Sequence, residues 1–198
     1  PRVEVLSCFE VDTQGNPEVD HSNLVVDIRR FSDMKRLVRV AAYVLRFVTN
    51  ARKVDVHRGE LTAEELMTAR TQLIISSQLE QLKLNQNGFG KVKASLRLFT
   101  DEKGLYRCQG RLQNSTMSFD ARFPIFIPRE SALVELLIRE AHEKVFHAGL
   151  SETLAELRTR YWIPKGRQNV RKFVGRKNCR LCRLIEGLPF PKPPAAPL

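Results

Sequence analysis

The sequence predicts an α+β fold that is mainly helical, with a small antiparallel β-unit followed by a three-helix bundle. Apolar residues recur at helical spacing both before and after the middle of the chain. Between these regions the period changes to short alternating runs separated by turn residues. With 42% hydrophobic and 28% charged residues, the 198-residue chain has enough apolar material for a packed core.

The pattern divides the chain into five segments. They are an irregular N-terminal segment, a helical connection region, the β-unit, the bundle and a proline-rich linker, covering residues 1–31, 32–90, 91–130, 131–186 and 187–198. No run of about 18 or more apolar residues occurs, so no membrane span is predicted. Because the chain begins with Pro and ends in a linker, we expect it to be a piece of a longer product.

Two helices are predicted in the connection region. The first begins near "FSDMKRLVRV", with Ser32 as its N-cap and an apolar face that Val44 and Phe47 widen. A face this broad should be buried or pressed against a neighbouring domain. The second begins at "LTAEELM", where Thr62 and Glu65 form a capping box. Its expected core contacts are Leu66, Leu73 and Leu79.

The β-unit follows. "SLRLFTDEKGLYRCQGRL" predicts two short strands joined by a turn at Glu102, Lys103 and Gly104. "RFPIFIPRES" contains a third candidate strand between two prolines. This segment shows no catalytic constellation in its sequence.

Helical spacing returns three times in the bundle. "SALVELLIREAHEKVF" predicts its first helix. "SETLAELRTRYW" predicts the second, which Ser151 caps and which ends before Pro164. "GRQNVRKFV" predicts the third, with Val170, Phe173 and Val174 on one side.

Two cysteines stand close together in "KNCRLCRLIE". Cys179 and Cys182 could form a redox pair or a metal knuckle, or could be adjacent by accident. A redox pair normally follows a strand in a βαβ setting, whereas this pair follows a predicted helix. Cys8 and Cys108 are isolated, which indicates a reducing compartment and not a disulfide scaffold. Metal binding is therefore favoured.

Two histidines in "AHEKVFHAGL" complete a set of metal ligands. His-x4-His followed by Cys-x2-Cys suits tetrahedral Zn²⁺. On a continuous helix His142 and His147 would diverge by about 140°, so His147 should lie beyond the helix end, near Ala148 and Gly149. Four protein ligands leave no open position, so the sequence predicts one structural zinc.

Positive charge is concentrated around these ligands. Of the 33 Lys and Arg residues, ten lie in residues 157–183, which contain no Asp or Glu, and the remaining 23 nearly balance 22 acidic residues. This favours a nucleic-acid partner over a membrane, because the broad apolar face of an interfacial helix is missing. The predicted DNA contacts are Arg158, Arg160, Lys165, Arg167, Arg171, Lys172, Arg176, Lys177 and Arg180.

The stretch "LLIREAHEKVFHAGLSETLAELRTRYWIPKGRQNVRKFVGRKNCRLC" resembles the HHCC zinc-binding N-terminal domain of retroviral and retrotransposon integrases. "GLYRCQGRLQNS" and "FSDMKRLVRVAAYVLRF" are similar to the Pol polyprotein of BEL/Pao-type LTR retrotransposons, in the region linking ribonuclease H to integrase. The resemblance covers about 30–186 and is most specific over 105–182.

This resemblance implies a non-catalytic module that binds the DNA ends of the element with weak sequence specificity. It also implies self-association with other integrase subunits, in a cytoplasmic particle or the nucleus. In such integrases the chemistry belongs to a following Mg²⁺-dependent core with three acidic residues, so no catalytic residue is assigned in this chain.

Two alternatives remain open from the sequence. One is a zinc-stabilised protein-interaction module of a domesticated or decayed element. The other is an enzyme fragment with its site in residues 1–130, but the sequence there suggests neither a carboxylate cluster nor a nucleophile–base pair.

Overall fold

The computed structural model describes residues 26–51, 58–84, 86–174 and 179–185. Its helices are α1 (Met34–Ala51), α2 (Ala63–Leu84), α3 (Gln86–Leu96), α4 (Phe119–Arg122), α5 (Leu133–Lys144), α6 (Leu150–Arg158), α7 (Gly166–Val174) and α8 (Arg180–Ile185). Its strands are β1 (Leu98–Thr100), β2 (Tyr106–Cys108), β3 (Ile125–Phe126) and β4 (Tyr161–Trp162). The predicted α+β fold, mainly helical with a small sheet, is confirmed.

One apolar core joins the connection region to the bundle. Its buried side chains come from α1, α2, α5, α6 and α7, and from strands β3 and β4. Leu37 of α1, Leu73 of α2 and Leu137 of α5 are each at most 1% exposed. Because these elements remove apolar surface from water together, the first two helices and the bundle stabilise one another.

Helix α1 buries one face in this core, and the prediction about its cap was wrong. Its first turn is capped by Asp33 and not by Ser32, because the Asp33 carboxylate accepts a hydrogen bond from Lys35 N at 2.9 Å. Val44 is 36% exposed and Phe47 70% exposed, so the part of the apolar face that they widen is not buried in this core, and contact with a neighbouring domain is the alternative that stays open.

The predicted capping box of α2 is confirmed. Thr62 N donates to Glu65 Oε2 at 2.7 Å, and Glu65 N donates to Thr62 Oγ1 at 3.2 Å. Arg46 of α1 also donates to this carboxylate, through Nε at 2.6 Å and Nη2 at 2.5 Å. The same guanidinium donates to the carbonyls of Gly59 and Glu60. Glu65 therefore caps α2 and ties it to α1.

The strands form a four-stranded sheet in the order β1-β2-β3-β4. Strands β1 and β2 form the predicted hairpin, in whose turn Asp101 accepts hydrogen bonds from the backbone of Lys103 and Leu105. The third predicted strand, β3, pairs antiparallel with β2. Strand β4 was missed: Tyr161–Trp162 pairs in parallel with β3, although the sequence placed these residues at the end of a helix.

Two polar side chains of α2 form hydrogen bonds that hold this helix against the sheet and the bundle. The amide of Gln78, only 1% exposed, donates to the carbonyls of Tyr106 and Phe126 and accepts from Tyr106 N. One side chain therefore holds β2 and β3. Arg70 donates to both carboxylate oxygens of Glu140 on α5 and to the Tyr161 hydroxyl of β4.

The three predicted bundle helices are present as α5, α6 and α7, and α8 adds a short fourth helix. Helix α6 begins one residue before Ser151, so Ser151 lies inside it and does not cap it. Gly149 occupies the cap position with φ 97°, a conformation that favours glycine. Val170 and Phe173 of α7 are buried, as the sequence predicted.

The five-segment division stays a prediction. Helix α3 crosses the expected boundary at residue 90, and the pairing of β3 with β4 crosses the one at residue 130. Most of the N-terminal segment and the whole proline-rich linker lie outside the described residues. Within the described ranges, no helix is both long enough and apolar enough to cross a membrane.

The ion pair between α1 and α2 predicts an acid-dependent loss of stability. The hydrogen bond from Arg46 lowers the pKa of Glu65 from 4.5 to about 2. Since the folded chain favours the ionised form, this contribution is present above pH 4.5 and is lost as the pH falls towards about 2. Glu65→Gln should lower the melting temperature at neutral pH, and its difference from the parent chain should shrink across that window.

The matched control is Glu64→Gln on the exposed neighbour, which has no ion pair among the described residues. Its melting temperature should track the parent at every pH. A gap for Glu65→Gln that stays constant from pH 6 to pH 2 would contradict the assignment.

Candidate metal centre

Four residues predicted as metal ligands converge in the bundle. One ligand atom from each of His142, His147, Cys179 and Cys182 lies within 4.8 Å of all the others. The cysteines and His142 are buried, and His147 is partly buried. This cluster joins the end of α5, the loop after it and the start of α8.

The loop after α5 brings the two imidazoles together. His142 lies in the last turn of α5, which ends at Lys144. Phe146 and His147 then adopt left-handed backbone conformations, with φ 52° and 63°, and His147 N donates to His142 O at 3.0 Å. The reversal places the two rings edge to face, with centroids 4.6 Å apart. The prediction that His147 lies beyond the helix end is confirmed.

The two cysteines form a tight turn at the start of α8. Cys182 N donates to Cys179 Sγ at 3.5 Å, and Arg183 N donates to Cys179 O at 3.0 Å. Helical geometry at this turn directs both sulfurs toward the histidines. Cys182 Sγ lies 3.1 Å from His142 Nε2, and Cys179 Sγ lies 3.3 Å from His147 Nδ1.

The separations of these atoms fit a tetrahedral zinc site. Zinc–nitrogen distances of about 2.0–2.1 Å and zinc–sulfur distances of about 2.3 Å imply nitrogen–sulfur separations of about 3.6 Å. Three of the four nitrogen–sulfur separations are 3.1, 3.3 and 3.7 Å, and all four ligand atoms lie within 4.8 Å of one another. Two imidazoles and two thiols are also a donor set that selects Zn²⁺ over harder cations. The cluster is therefore positioned to bind one Zn²⁺.

Thr153 on α6 orients the first histidine, and the sequence did not identify it. Its hydroxyl donates to Gly149 O at 2.6 Å, so its oxygen is left to accept the hydrogen of His142 Nδ1 at 3.0 Å. That arrangement keeps the proton on Nδ1 and leaves Nε2 free to bind metal. Helical spacing from Leu150 and Leu157 places Thr153 on the apolar face of α6, but only the structure shows that it is fully buried and contacts His142.

Apolar packing encloses the site on the α7 side. The Phe173 ring meets the His142 ring edge to face, with centroids 6.1 Å apart. Phe173 is 3% exposed, and Arg139 of α5 stacks over it at 5.2 Å. With four protein ligands and this enclosure, no coordination position is left for a substrate, so the site can hold a structural ion and organise the bundle.

The fold and the ligands form a helical unit whose two histidines and two cysteines are positioned to bind one metal ion. Residues 129–186 match the family model described as the integrase zinc binding domain, and this range contains all four ligands. No curated protein and no solved structure matched the chain significantly. The integrase part of the resemblance is thereby supported for residues 129–186.

The predicted DNA contacts lie mainly on the outside of this domain. The exposed ones are Arg158, Arg160, Lys165, Arg167, Arg171, Lys172 and Arg180, while Arg176 and Lys177 lie outside the described residues. Among the described residues, none of the seven has a carboxylate within 4.0 Å. Their role in binding DNA stays a prediction.

Thr153→Val should weaken zinc binding while the chain still folds with zinc in excess. Removing the hydroxyl frees the ring of His142 to rotate or change tautomer, and loss of such an orienting partner costs about 10- to 100-fold in metal affinity. Competition against a chromophoric chelator measures the change. Thr153→Ser keeps the hydroxyl and should stay within a few-fold of the parent. Equal affinities for all three chains would contradict the orienting role.

Cys179→Ser should abolish stoichiometric zinc and lower the melting temperature in a single transition. Structural zinc contributes about 10–16 kcal/mol in finger peptides, and losing even about 5 kcal/mol would lower the melting temperature of a chain this size by roughly 10–20 °C. Native mass spectrometry and thermal melting test both effects. Cys108→Ala, at a buried cysteine outside the cluster, should keep one zinc per chain. A zinc-free Cys179→Ser chain that melts like the parent would refute the structural role.

Proposed function

We propose that this chain is the non-catalytic zinc-binding module of an integrase, and that it binds DNA and supports assembly of integrase subunits during DNA integration. The observation that carries the proposal is the coincidence of the four converging ligands with the match to the integrase zinc binding domain. The similarity of the preceding residues to the linking region of Pol extends the proposal to a BEL/Pao-type retrotransposon.

The charge around α7 supports a DNA partner. Arg167, Arg171 and Lys172 are exposed on a helix whose opposite face, with Val170 and Phe173, is buried beside the metal centre. A zinc-anchored helix holds these cations on a rigid support. They can then neutralise backbone phosphates, which gives affinity with little sequence specificity.

A second candidate function is a protein-interaction module, and one feature of α1 favours it. Val40, Tyr43, Val44 and Phe47 form a stripe at helical spacing and are 36–70% exposed. An apolar stripe of this kind is typical of a contact with another protein chain, so it also fits the assembly role. Binding to the stripe would depend weakly on salt, whereas DNA binding depends on it steeply.

Replacing Arg167 and Arg171 together by Gln should weaken duplex DNA binding without loss of zinc. Each phosphate contact contributes about 0.9 to the slope of log affinity against log salt, so the double variant should lose about 1.8. Fluorescence anisotropy with a labelled duplex at several salt concentrations measures this slope.

The matched control replaces Arg36 and Arg39, two exposed arginines on α1, by Gln. It makes the same change in net charge away from the zinc domain and should leave the slope within about 0.5 of the parent. An equal loss in both double variants would mean that only net charge matters. An unchanged slope in the α7 variant would move the DNA surface elsewhere, for example to residues 91–97.

A further inference from the structure

One face of the sheet packs against the main core, and the opposite face does not. Ile125 and Tyr161 point into that core, whereas Leu98, Cys108 and Phe126 form a separate small apolar cluster on the other side. Trp162 belongs to this second face, because it is the register partner of Phe126 in the β3–β4 pair. Helix α3 covers one part of the face, and a cleft lies over the rest.

This cleft has a volume of about 940 Å³ and lies between the β-unit and the bundle. Its walls are the end of α3, the 3-10 helix Arg111–Asn114, helix α4 and, from the bundle, Arg158 and Trp162. Cavities that bind small organic molecules are typically about 300–1,000 Å³, so it has room for a nucleotide. It is distinct from the metal centre, none of whose ligands line it.

The charged side chains that line the cleft are cationic in the described part of the chain. They are Arg97, Arg122 and Arg158, with no Asp or Glu among the described lining residues. In the described part of the chain, neither Arg97 nor Arg158 has a carboxylate within 4.0 Å, and Arg122 Nε has no hydrogen-bond partner. Burial raises the pKa of the Cys108 thiol, which also lines the cleft, to about 12, so this thiol adds no negative charge at neutral pH. Three cations around a concave surface attract an anion.

Arg97 has a backbone conformation that glycine adopts more easily than a residue with a side chain. It directly follows α3 and adopts φ 48°, the left-handed conformation that usually belongs to glycine at this position of a helix end. Non-glycine residues held in this region are found preferentially at functional sites. The left-handed turn therefore fits a role for the guanidinium beside the cleft.

Trp162 supplies a flat apolar surface beside these cations. The residue is 38% exposed, while its carbonyl accepts a hydrogen bond from Ile127 N at 2.9 Å, so the strand holds the backbone in place. The amides of Gln109 and Gln113, which are hydrogen-bonded to each other at 2.8 Å, line the same cleft. An aromatic ring, cations and amides together match the base, phosphate and polar edge of a nucleotide.

We propose that this cleft binds an unpaired nucleotide of single-stranded nucleic acid, with the base against Trp162 and the flanking phosphates at Arg97 and Arg158. An intact duplex keeps its base faces stacked inside and could offer only phosphates. An acidic peptide would satisfy the arginines but would leave the indole without a stacking partner. The inference rests on the proposed function in that both assign the chain a nucleic-acid ligand, yet it concerns a different surface and a different form of that ligand.

The chain contains one tryptophan, which makes the cleft directly observable. Adding oligothymidylate to the zinc-loaded chain should quench Trp162 fluorescence, and the midpoint should match binding of a labelled strand by anisotropy. A duplex, free thymidine monophosphate and a polyglutamate peptide are the comparison arms, and each should quench more weakly at equal concentration. Equal quenching by the peptide or by the mononucleotide would overturn the assignment, as would strand binding that leaves the emission unchanged.

Two variants separate stacking from charge. Trp162→Ala should weaken binding of the labelled strand by about 5- to 150-fold, the range expected for one lost base–aromatic contact. Arg97→Gln with Arg158→Gln should lower the salt slope by about 1.4, since each phosphate contributes about 0.7 on single strands. Zinc content and melting temperature check that both variants fold. Full affinity in either variant would overturn the proposal.

Two further variants separate this site from the α7 surface. Arg171→Gln with Lys172→Gln on α7 should weaken duplex binding but leave the quenching of Trp162 by oligothymidylate intact, and Arg36→Gln with Arg39→Gln should affect neither. Arg167 is left unchanged in this test because it lines a groove together with Arg158 and Trp162. If the α7 variant abolishes quenching, the strand lies on α7 and the cleft proposal fails. If the α7 variant leaves duplex binding unchanged while quenching persists, the proposal that α7 binds DNA is refuted and the cleft proposal is retained.

Discussion

The convergence of two imidazoles and two thiols is the interaction on which the bundle depends. The ligands come from α5, the loop after it and α8, and Thr153 couples α6 to the same point. Short helices of this kind are marginal alone, because helix nucleation is costly and a few turns add too few hydrogen bonds to offset it. A metal ion bound at their meeting point stabilises the bundle by far more than the roughly 0–1 kcal/mol of an exposed ion pair.

The rest of the chain adds a second set of constraints. Helix α2 is hydrogen-bonded to the sheet through Gln78 and to the bundle through Arg70, and its apolar face shares their core. The zinc domain is therefore supported on one side by a helical layer and on another by a strand. Its basic helix and the strand that carries Trp162 therefore pack on the same apolar core.

What the sequence predicted correctly was mostly local. The four ligands, the capping box of α2, the β1–β2 hairpin and the end of α5 before His147 follow from spacings of a few residues. Strand β4 was missed because a two-residue strand has no readable period and exists only through pairing with β3. Thr153 and the arginine cleft depend on contacts between distant segments, which spacing does not report.

The parallel pairing of β3 with β4 joins residues on the two sides of the predicted border of the zinc domain. Severing the chain at the apparent border near residue 130 would remove the strand that pairs with Tyr161 and Trp162. Two aromatic residues and open backbone groups would then form an unprotected edge, a surface that promotes association between chains. Any natural rearrangement that transplanted this domain would therefore have to carry β3 with it, or evolve a substitute to cover the edge.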